Sequence, residues 1–384
     1  MKIILVITDY GSFNNFIGEL AISLVKKGNE VTVITSQVRV IDIQDKFDYR
    51  SLGIKFKYVD FPRGFNPLKH FKSSKKIQHI IKEIHPDLVH IHFATGIFTT
   101  LFSGKLNYKT VGTFHGLGFP VLSGLKKRIF GAVEKFCFNR LDFIYVLNEV
   151  DYCAVRNLGY QNVLKYETLG LGCDLGVFNP SNYSDNQKVG LKKELAIQSK
   201  NFVFAFTGRF VEFKGYDKVI RSFLYLNQKY PDTRLLLIGG KDKIHTTGLS
   251  KEEEENMGAC PNIINIGFTK DVAKYLSITD VFVFPSLKEG MPVCVIEALA
   301  MGVPVITADS RGCNEIIKDL HNGAVVDIRD DNWNKVAFQM EALINNPDRI
   351  ETMKSNIKRD RELYDRNRYV ICELNRYNNL INTY

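Results

Sequence analysis

Several features are missing from this sequence, and each absence excludes a class of protein. No run of 18 or more apolar residues occurs along its 384 residues, so we expect no membrane-spanning helix. The seven cysteines are scattered and form no Cys-x-x-Cys pair, which is typical of small buried residues in a reducing cytoplasm. Neither a Gly-x-Gly-x-x-Gly dinucleotide fingerprint nor a phosphate-binding P-loop is present. The sequence therefore predicts a cytoplasmic globular protein without these two nucleotide-binding loops.

The charge is unevenly distributed along the chain. Of the formal net charge of +9, about +7 falls on residues 1–185. A basic first half suits anionic lipid headgroups, nucleic acid or an anionic substrate, and a lysine-rich surface without a partner explains it as well. No nucleic-acid-binding motif accompanies the charge, so we expect no nucleic-acid partner.

Strand-like apolar runs alternate with helical patterns, which predicts parallel sheets with helices on both faces. The length favours two domains, and the Pro-, Asn-, Ser- and Asp-rich stretch Phe178–Gln187 is predicted to link them. We therefore expect an α/β fold of two doubly wound domains, residues 1–177 and 188–365. The predicted strands are Lys2–Thr8, Val31–Thr35, Phe56–Val59, Leu88–His92, Thr110–Phe114, Phe143–Leu147, Val163–Tyr166, Phe202–Thr207, Arg234–Ile238, Ile263–Ile266, Val281–Phe284, Val303–Thr307 and Ala324–Val326. The predicted helices include Phe13–Lys27, Leu68–Ile84, Lys126–Asn139, Val150–Leu158, Tyr216–Tyr230 and Pro292–Met301.

One stretch, residues 281–315, predicts a strand, a loop, a helix and a second strand. Pro292 suits the first helical position, and Gly302 closes the helix. Glu289 lies in the loop and Glu297 about two turns into the helix. The helix N-terminus suits a phosphate, and the two carboxylates suit ribose and sugar hydroxyls. A solvated loop residue and a surface helix residue explain the same spacing.

A second cluster follows the predicted strand Phe202–Thr207. The next residues begin Gly208-Arg209 and end Lys214-Gly215, and a helical pattern follows. Two fixed cations in a glycine-bounded loop after a strand suit a diphosphate, since Arg209 can bind two oxygens in a fork and Lys214 supplies a point charge.

Together the two clusters resemble the retaining glycosyltransferases of family 4, which have the GT-B fold. The resemblance implies two Rossmann-like domains facing a central cleft, with the acceptor mainly on the first domain and the donor mainly on the second. It also implies that the last helix, residues 366–384, crosses back to the first domain. Arg209 and Lys214 would then bind the donor diphosphate, Glu289 the sugar and Glu297 the ribose.

The resemblance implies further donor contacts around these residues. Arg311 stands where relatives have a small residue, in a turn after the predicted helix that carries Glu297. The remaining predicted donor-binding residues are Gly11, Gly208, Gly239, Gly267, Phe268, Gly290, Met291, Pro292 and Val293.

The first domain offers fewer candidates. In the family, the loop after the first strand, here Thr8–Asn15, is glycine-rich and approaches the donor phosphates and the acceptor; only Gly11 is present here, followed by Ser12. His115 ends a strand, and a histidine at this kind of position in the family contacts the transferred sugar. A strand-end histidine satisfied by backbone groups is the structural alternative. Glu149 loosely matches an acidic position after a strand, which makes Ser12, His115 and Glu149 acceptor-side candidates.

No cofactor is expected. His90-Ile-His92 alternates on one strand face, but no nearby cysteine or suitably spaced carboxylate completes a metal site. The sequence also lacks the Asp-x-Asp metal clamp of the other main glycosyltransferase fold. Arg209, Lys214 and the helix N-terminus would take the role of a divalent metal.

The resemblance predicts transfer of a hexose or N-acetylhexosamine, from UDP in preference to GDP, to a glycan on a polyprenyl diphosphate in surface polysaccharide synthesis. The basic and apolar segment Ser123–Arg140 suits peripheral contact with an anionic membrane, at the inner face of the plasma membrane, and an ordinary core-facing helix explains it equally well. Two alternative functions remain, a sugar-nucleotide epimerase of the same fold and a non-catalytic nucleotide-sugar-binding protein.

Overall fold

The computed structural model describes residues 1–37, 45–62, 64–242, 245–328 and 332–382. The chain forms two compact units. The N-terminal unit is Met1–Glu167 with the chain from Asn367 onward, and the C-terminal unit is Thr168–Arg366. The stretch predicted as a linker, Phe178–Gln187, thus lies inside the C-terminal unit. Arg361 of this unit donates hydrogen bonds to the carbonyl groups of Leu175 (2.8 Å) and Phe178 (3.0 Å), which ties the start of the stretch to it.

The N-terminal unit contains one parallel sheet of seven strands in the order β3-β2-β1-β4-β5-β6-β7. Every predicted strand of this half is confirmed. β4 and β5 are buried at all five positions, as their continuous apolar runs require in a sheet covered on both faces. The strands are β1 (Lys2–Val6), β2 (Glu30–Thr35), β3 (Lys55–Tyr58), β4 (Leu88–His92), β5 (Thr110–Phe114), β6 (Phe143–Val146) and β7 (Val163–Lys165).

The helices of this unit differ from prediction at two places. The predicted loop Thr8–Asn15 is helical from Tyr10, because the Asp9 carboxylate accepts a hydrogen bond from the Ser12 backbone N–H (2.9 Å) and caps the helix. The helix directly after β4, Ala94–Leu101, was not predicted, because its residues are apolar or small on every side and show no helical period. The helices are α1 (Tyr10–Ser12), a π-helical turn (Phe13–Ile17), α2 (Gly18–Lys26), α3 (Pro67–Ile84), α4 (Ala94–Leu101), α5 (Gly124–Phe138) and α6 (Glu149–Asn157).

The C-terminal unit contains a second parallel sheet, of six strands in the order β10-β9-β8-β11-β12-β13. The six predicted strands of this half are confirmed. In both sheets the first strand lies between its successor and a later strand, so each sheet has one point at which the strand order reverses. The strands are β8 (Phe202–Phe210), β9 (Thr233–Lys241), β10 (Ile263–Gly267), β11 (Val281–Phe284), β12 (Val305–Ala308) and β13 (Gly323–Val326).

Helices cover the second sheet. The first of them occupies part of the predicted linker, because Ser184 and Gln187 form a reciprocal capping box that starts a helix there. The helices are α7 (Asp185–Glu194), α8 (Tyr216–Lys229), α9 (Lys251–Ala259), α10 (Val272–Leu276), α11 (Val293–Ala300), α12 (Cys313–Ile316), α13 (Asn334–Ile344) and α14 (Pro347–Arg359).

The last helix, α15, spans Arg366–Asn382. From Asn367 it belongs to the N-terminal unit, where Tyr369 and Tyr377 are fully buried. The final two residues of the predicted helix, Thr383 and Tyr384, lie outside the described residues. No helix in the described part of the chain is both long and apolar enough to span a bilayer.

Candidate functional site

The two sequence clusters meet at the point where the strand order of the second sheet reverses. β8 and β11 are neighbours in this sheet, and their following loops diverge from the same carboxyl edge. The loops also contact each other: the Leu287 backbone N–H and the Ser286 hydroxyl both donate to the Phe213 carbonyl oxygen, at 2.9 and 3.1 Å. Such an edge is where open parallel sheets bind ligands.

Lys214 and Glu289, one from each loop, form an ion pair. The Lys214 Nζ lies 2.7 Å from the Glu289 Oε1, and both side chains are largely buried, at 18% and 14% exposed. The Ser286 Oγ also lies 2.9 Å from the same carboxylate oxygen, so its one proton is shared between this oxygen and the Phe213 carbonyl. Burial lowers the pKa of the Lys214 ammonium, but the Glu289 carboxylate outweighs this effect and the pKa is raised. The lysine is therefore a fixed positive charge at neutral pH.

Arg209 points to a different carboxylate. Its Nη1 donates to the Asp242 Oδ2 at 2.5 Å, and about half of the arginine side chain is exposed. Asp242 follows β9, the strand beside β8, and also lies 3.3 Å from the His245 Nδ1. The two predicted diphosphate ligands are thus each held by an acidic residue in this structure.

Two close backbone approaches shape the loop after β8. Gly239 has φ of +136°, and a Cβ added there would lie 1.9 Å from the Gly208 carbonyl oxygen. Gly215 has φ of +75°, and a Cβ there would lie 2.3 Å from the Pro285 carbonyl oxygen. Both positions therefore require glycine: Gly215 follows the predicted cation Lys214, and Gly239 of β9 packs on the backbone of Gly208, which precedes Arg209.

The start of α11 differs slightly from prediction. Pro292 is the N-cap residue, with extended backbone, and Val293 is the first helical residue. Glu297 is therefore the fifth residue of the helix, a little over one turn from its start rather than two turns. It is partly buried, and Met291 just before the cap is almost fully buried.

Arg311 supports the loop that carries Glu289. Its side chain is 9% exposed, and its Nε donates to the Glu289 carbonyl oxygen at 2.7 Å. The neighbouring Gly312 has φ of +76°, and a Cβ there would lie 2.3 Å from the Gly290 carbonyl oxygen. The turn before α12 therefore packs directly on the backbone of residues 289–290, a contact that the sequence did not reveal.

The remaining predicted donor residues lie at the end of the edge strand β10. Gly267 has φ of +74°, and Phe268 after it is 87% exposed. An aromatic ring this exposed is available to stack on a flat ligand.

In the N-terminal unit, His115 follows β5 and lies beside β4. Its Nε2 is 3.3 Å from the His92 Nδ1, and its ring stacks on Phe93 with centroids 4.1 Å apart. Burial lowers the pKa of His115 to about 3, so the ring is neutral.

The loop after His115 is fixed by two buried carboxylates that the sequence analysis did not single out. Glu134 of α5 accepts hydrogen bonds from the backbone N–H groups of Gly118 (2.6 Å) and Phe119 (3.0 Å). Asp151 of α6 accepts one from the Leu117 N–H at 3.0 Å. The position of His115 is therefore set by the helices that follow it.

The other N-terminal candidates are already engaged. Gly11 lies buried in α1. The Ser12 hydroxyl donates to the Asp9 carboxylate at 2.8 Å, as part of the helix cap. Glu149 begins α6 and pairs with Lys165 at 2.6 Å, and hydrogen bonding to Lys165 lowers the pKa of the glutamate. The structure does not bring these three residues into a contact with His115 that would mark a single site.

An exposed surface of basic and apolar residues lies on α3 and α5, which flank α4 in one helical layer. All residues from Ser123 to Phe130 are exposed, and only the second half of α5 packs into the core. We call this set the α3–α5 surface; its apolar members are Phe65 (72% exposed), Leu68 (76%), Phe71 (46%), Leu125 (71%), Ile129 (53%) and Phe130 (48%). Its exposed cations are Lys69, Lys72, Lys75, Lys76, Lys126, Lys127 and Arg128.

Within the described residues, no group of three histidine, cysteine or acidic side chains is arranged to hold a metal ion. His90, His92 and His115 do cluster, but both ring nitrogens of His90 face hydroxyl groups, and the His92 Nδ1 and the His115 Nε2 face each other.

Comparison with known proteins gives matches along most of the chain. The family model described as "Glycosyltransferase Family 4" matches residues 14–163, and the one described as "Glycosyl transferases group 1" matches residues 189–360. A relative from Escherichia coli is 27% identical over 70% of this chain and 69% of its own length. It is named UDP-Gal:alpha-D-GlcNAc-diphosphoundecaprenol alpha-1,3-galactosyltransferase.

A second relative, from Campylobacter jejuni, is 28% identical over 75% of this chain and 77% of its own. It is named N,N'-diacetylbacillosaminyl-diphospho-undecaprenol alpha-1,3-N-acetylgalactosaminyltransferase. The structure of a sucrose-phosphate synthase from Thermosynechococcus elongatus superposes with a TM-score of 0.79, at 18% identity, over 100% of both chains. This likeness, together with the two parallel sheets, shows that the fold is GT-B.

Proposed function

Because this chain belongs to the family 4 glycosyltransferases, we propose that it moves a hexose or N-acetylhexosamine from a UDP-sugar to a sugar on a polyprenyl diphosphate. The names of the E. coli and C. jejuni relatives support the acceptor class. The name of the E. coli relative also supports UDP, and not GDP, as the nucleotide of the donor. The product would serve surface polysaccharide synthesis, and the anomeric configuration would be retained.

The observation that carries the proposal is the convergence of Arg209, Lys214 and the start of α11 at the strand-order reversal of the second sheet. Two cations and free helix N–H groups stabilise the charge that develops on a leaving diphosphate. Their positive charge takes the role that a divalent metal has in other transferases, so the reaction needs no metal.

The proposed roles of the other residues follow from their chemistry. Glu289 binds hydroxyls of the donor sugar and Glu297 those of the ribose, while Phe268 lines the base pocket. His115 binds the sugar on the acceptor-side unit. In the transfer, the bond from the anomeric carbon to the diphosphate oxygen breaks, the acceptor oxygen bonds to that carbon, and the diphosphate takes the acceptor proton. We assign no residue as a covalent nucleophile.

The α3–α5 surface supports peripheral membrane contact. Exposed apolar side chains between cations can insert between anionic headgroups, where each cation adds about 1 kcal/mol. We expect flotation with vesicles containing phosphatidylglycerol and little with phosphatidylcholine vesicles. L125E/I129E should abolish flotation, whereas F338E, which removes an exposed phenylalanine of the other unit, should not. Equal flotation of both variants would contradict this surface.

Thermal unfolding with a panel of nucleotides and nucleotide sugars, in EDTA and in Mg²⁺, tests the donor site. A ligand at about 100 times its dissociation constant stabilises by roughly 2.7 kcal/mol, a measurable rise in melting temperature. We expect a UDP-selective shift that persists in EDTA and is lost in R209A. A shift with GDP alone would correct the donor, and no shift with any nucleotide would contradict the assigned site.

A further inference from the structure

Three histidines meet at the carboxyl edge of the first sheet. His90 and His92 lie on the same face of β4, with ring centroids 4.1 Å apart. The His92 Nδ1 in turn lies 3.3 Å from the Nε2 of His115. The side chain assigned to the donor sugar is therefore the outermost member of a buried row of imidazoles.

All three rings are neutral at physiological pH. Burial lowers the pKa of His90 and of His115 to about 3, and it lowers that of His92 well below its ordinary value. Each ring therefore carries one proton, on either Nδ1 or Nε2, and its hydrogen-bond partners decide which.

His90 is held from both sides. Its Nε2 lies 2.7 Å from the Thr113 hydroxyl of β5, and its Nδ1 is bonded to the Tyr377 hydroxyl of α15. The Glu373 Oε2 lies 3.6 Å from the same Nδ1. The last helix thus fixes His90, and the His90 ring supports the face of His92.

His92 has a hydrogen-bond partner on one side only. Its side chain is fully buried, and its Nε2 meets no hydrogen-bond partner among the described residues. A buried N–H group without an acceptor is rare in folded proteins. The arrangement that avoids such a group puts the proton of His92 on Nδ1, where it faces His115.

We propose that His92 is a positioning residue for the transfer reaction: its Nδ1–H donates to the Nε2 of His115 and keeps the proton of His115 on Nδ1. Stacking on Phe93 fixes the plane of the His115 ring, and the His92 bond fixes its rotation and tautomer. His115 then meets the sugar as a hydrogen-bond donor. This inference rests on the proposed function, since it assigns the chemical form in which His115 acts.

Nuclear magnetic resonance of ¹⁵N-histidine-labelled protein tests the tautomer directly and without substrate. At pH 7.5, the Nε2 of His115 should have the chemical shift of an unprotonated nitrogen and the Nδ1 that of a protonated one, with H115A providing the assignment. A protonated Nε2 at His115 would overturn the proposal.

Two substitutions at His92 separate positioning from packing. H92N keeps an N–H where Nδ1 lies, whereas H92L fills the space without any donor. We expect kcat to fall about tenfold in H92L and to recover in H92N, with the KM for the UDP-sugar little changed in both. In H92L the His115 tautomer should also shift toward Nε2–H. Equal kcat in H92L and in the wild type would contradict the proposal.

The same experiments distinguish this inference from the proposed function. If H115A loses turnover while H92L does not, the donor-site role of His115 stands and the positioning role of His92 is wrong. If no nucleotide sugar is turned over by the wild type, the proposed function is wrong. The H92N spectrum keeps the hydrogen bond measurable even if H92L fails to fold.

Discussion

The Lys214 ammonium and the Glu289 carboxylate lie 2.7 Å apart in a largely buried ion pair that joins the loops after β8 and β11. Each group is the counter-charge of the other, which avoids leaving a buried charge unpaired. On the proposed function, a diphosphate bound by Lys214 would replace this carboxylate as the counter-charge. Glu289 would then be released toward uncharged hydroxyl groups, so that one exchange of partners would load both ends of a nucleotide sugar.

Substitution of Lys214 and substitution of Glu289 should therefore have different effects on UDP binding. K214Q removes a phosphate ligand and should weaken UDP at least about tenfold. E289Q frees the ammonium, so UDP should bind as well as in the wild type or more tightly, while turnover of the sugar nucleotide is lost. Isothermal titration with UDP, together with kcat, measures both.

The matched control for this pair is K229Q. Lys229 also pairs with a glutamate, Glu341, but at the far end of α8 and in an exposed position. The K229Q substitution should leave UDP binding and turnover unchanged. If E289Q weakens UDP binding as much as K214Q does, the proposed exchange of partners is wrong.

Asp242 should act as a competitor of the donor. Its carboxylate holds the Arg209 Nη1 at 2.5 Å, and a diphosphate bound as proposed would have to displace it. D242N removes the negative charge and should lower the Kd for UDP a few-fold, with a weaker dependence on salt, because an exposed arginine is then available to the phosphate. R209A should raise the Kd. If D242N raises the Kd for UDP, Asp242 is not a competitor of the donor but orients Arg209 for binding.

The glycine pair at the end of β9 offers a test of the close backbone approach. In G239A the new Cβ would collide with the Gly208 carbonyl oxygen, 1.9 Å away, so stability should fall by about 2–4 kcal/mol and UDP binding should weaken. Gly240, the next residue, has open space around its Cβ position and an ordinary φ. G240A should change stability by less than about 0.5 kcal/mol in urea unfolding. Equal losses would mean that strand propensity, and not the contact, matters.

Much of the fold was predictable because buried parallel strands are continuous apolar runs. β4, β5 and β11 are each buried at every position, and such runs are visible in a sequence. α4 was missed for the same physical reason: it is buried on nearly all sides, so no polar stripe marks its period. The helix at Asp185 was missed because a capping box looks like a polar loop when residues are read singly.

The candidate site was predictable only in part. Arg209, Lys214 and Glu289 stand in loops directly after strands, so their meeting at one sheet edge follows from topology. The residues that contact their side chains and loops do not follow from topology. In the C-terminal unit, Asp242 and Arg311 contact Arg209 and the Glu289 backbone through side-chain directions. In the N-terminal unit, His92, Glu134 and Asp151 contact His115 or the loop after it. No spacing rule connects those residues to the motifs.

The buried histidines should make the protein less stable as the pH falls below 6.5. In the folded state the pKa values of His90 and His115 are lowered to about 3 and that of His92 is lowered well below its ordinary value, so all three stay neutral. The unfolded chain binds protons there below about pH 6.5, and unfolding is favoured as the pH drops. Glu373 acts in the opposite direction, because burial raises its pKa to about 7 and the folded state alone holds its proton between 4.5 and 7.

On unfolding near pH 5.5, the three histidines take up about three protons and Glu373 releases about one. The net uptake is therefore about two protons. The free energy of unfolding should then fall by about 2.7 kcal/mol per pH unit near pH 5.5, and urea titrations at pH 7.5, 6.5 and 5.5 measure this slope. H92N lacks one of the three titrating rings, so its slope should be smaller by roughly one proton, or about 1.4 kcal/mol per pH unit. A wild-type slope near zero over this range would mean that at least two of the rings are protonated in the folded state, and that the neutral row of imidazoles at the carboxyl edge of the first sheet does not exist.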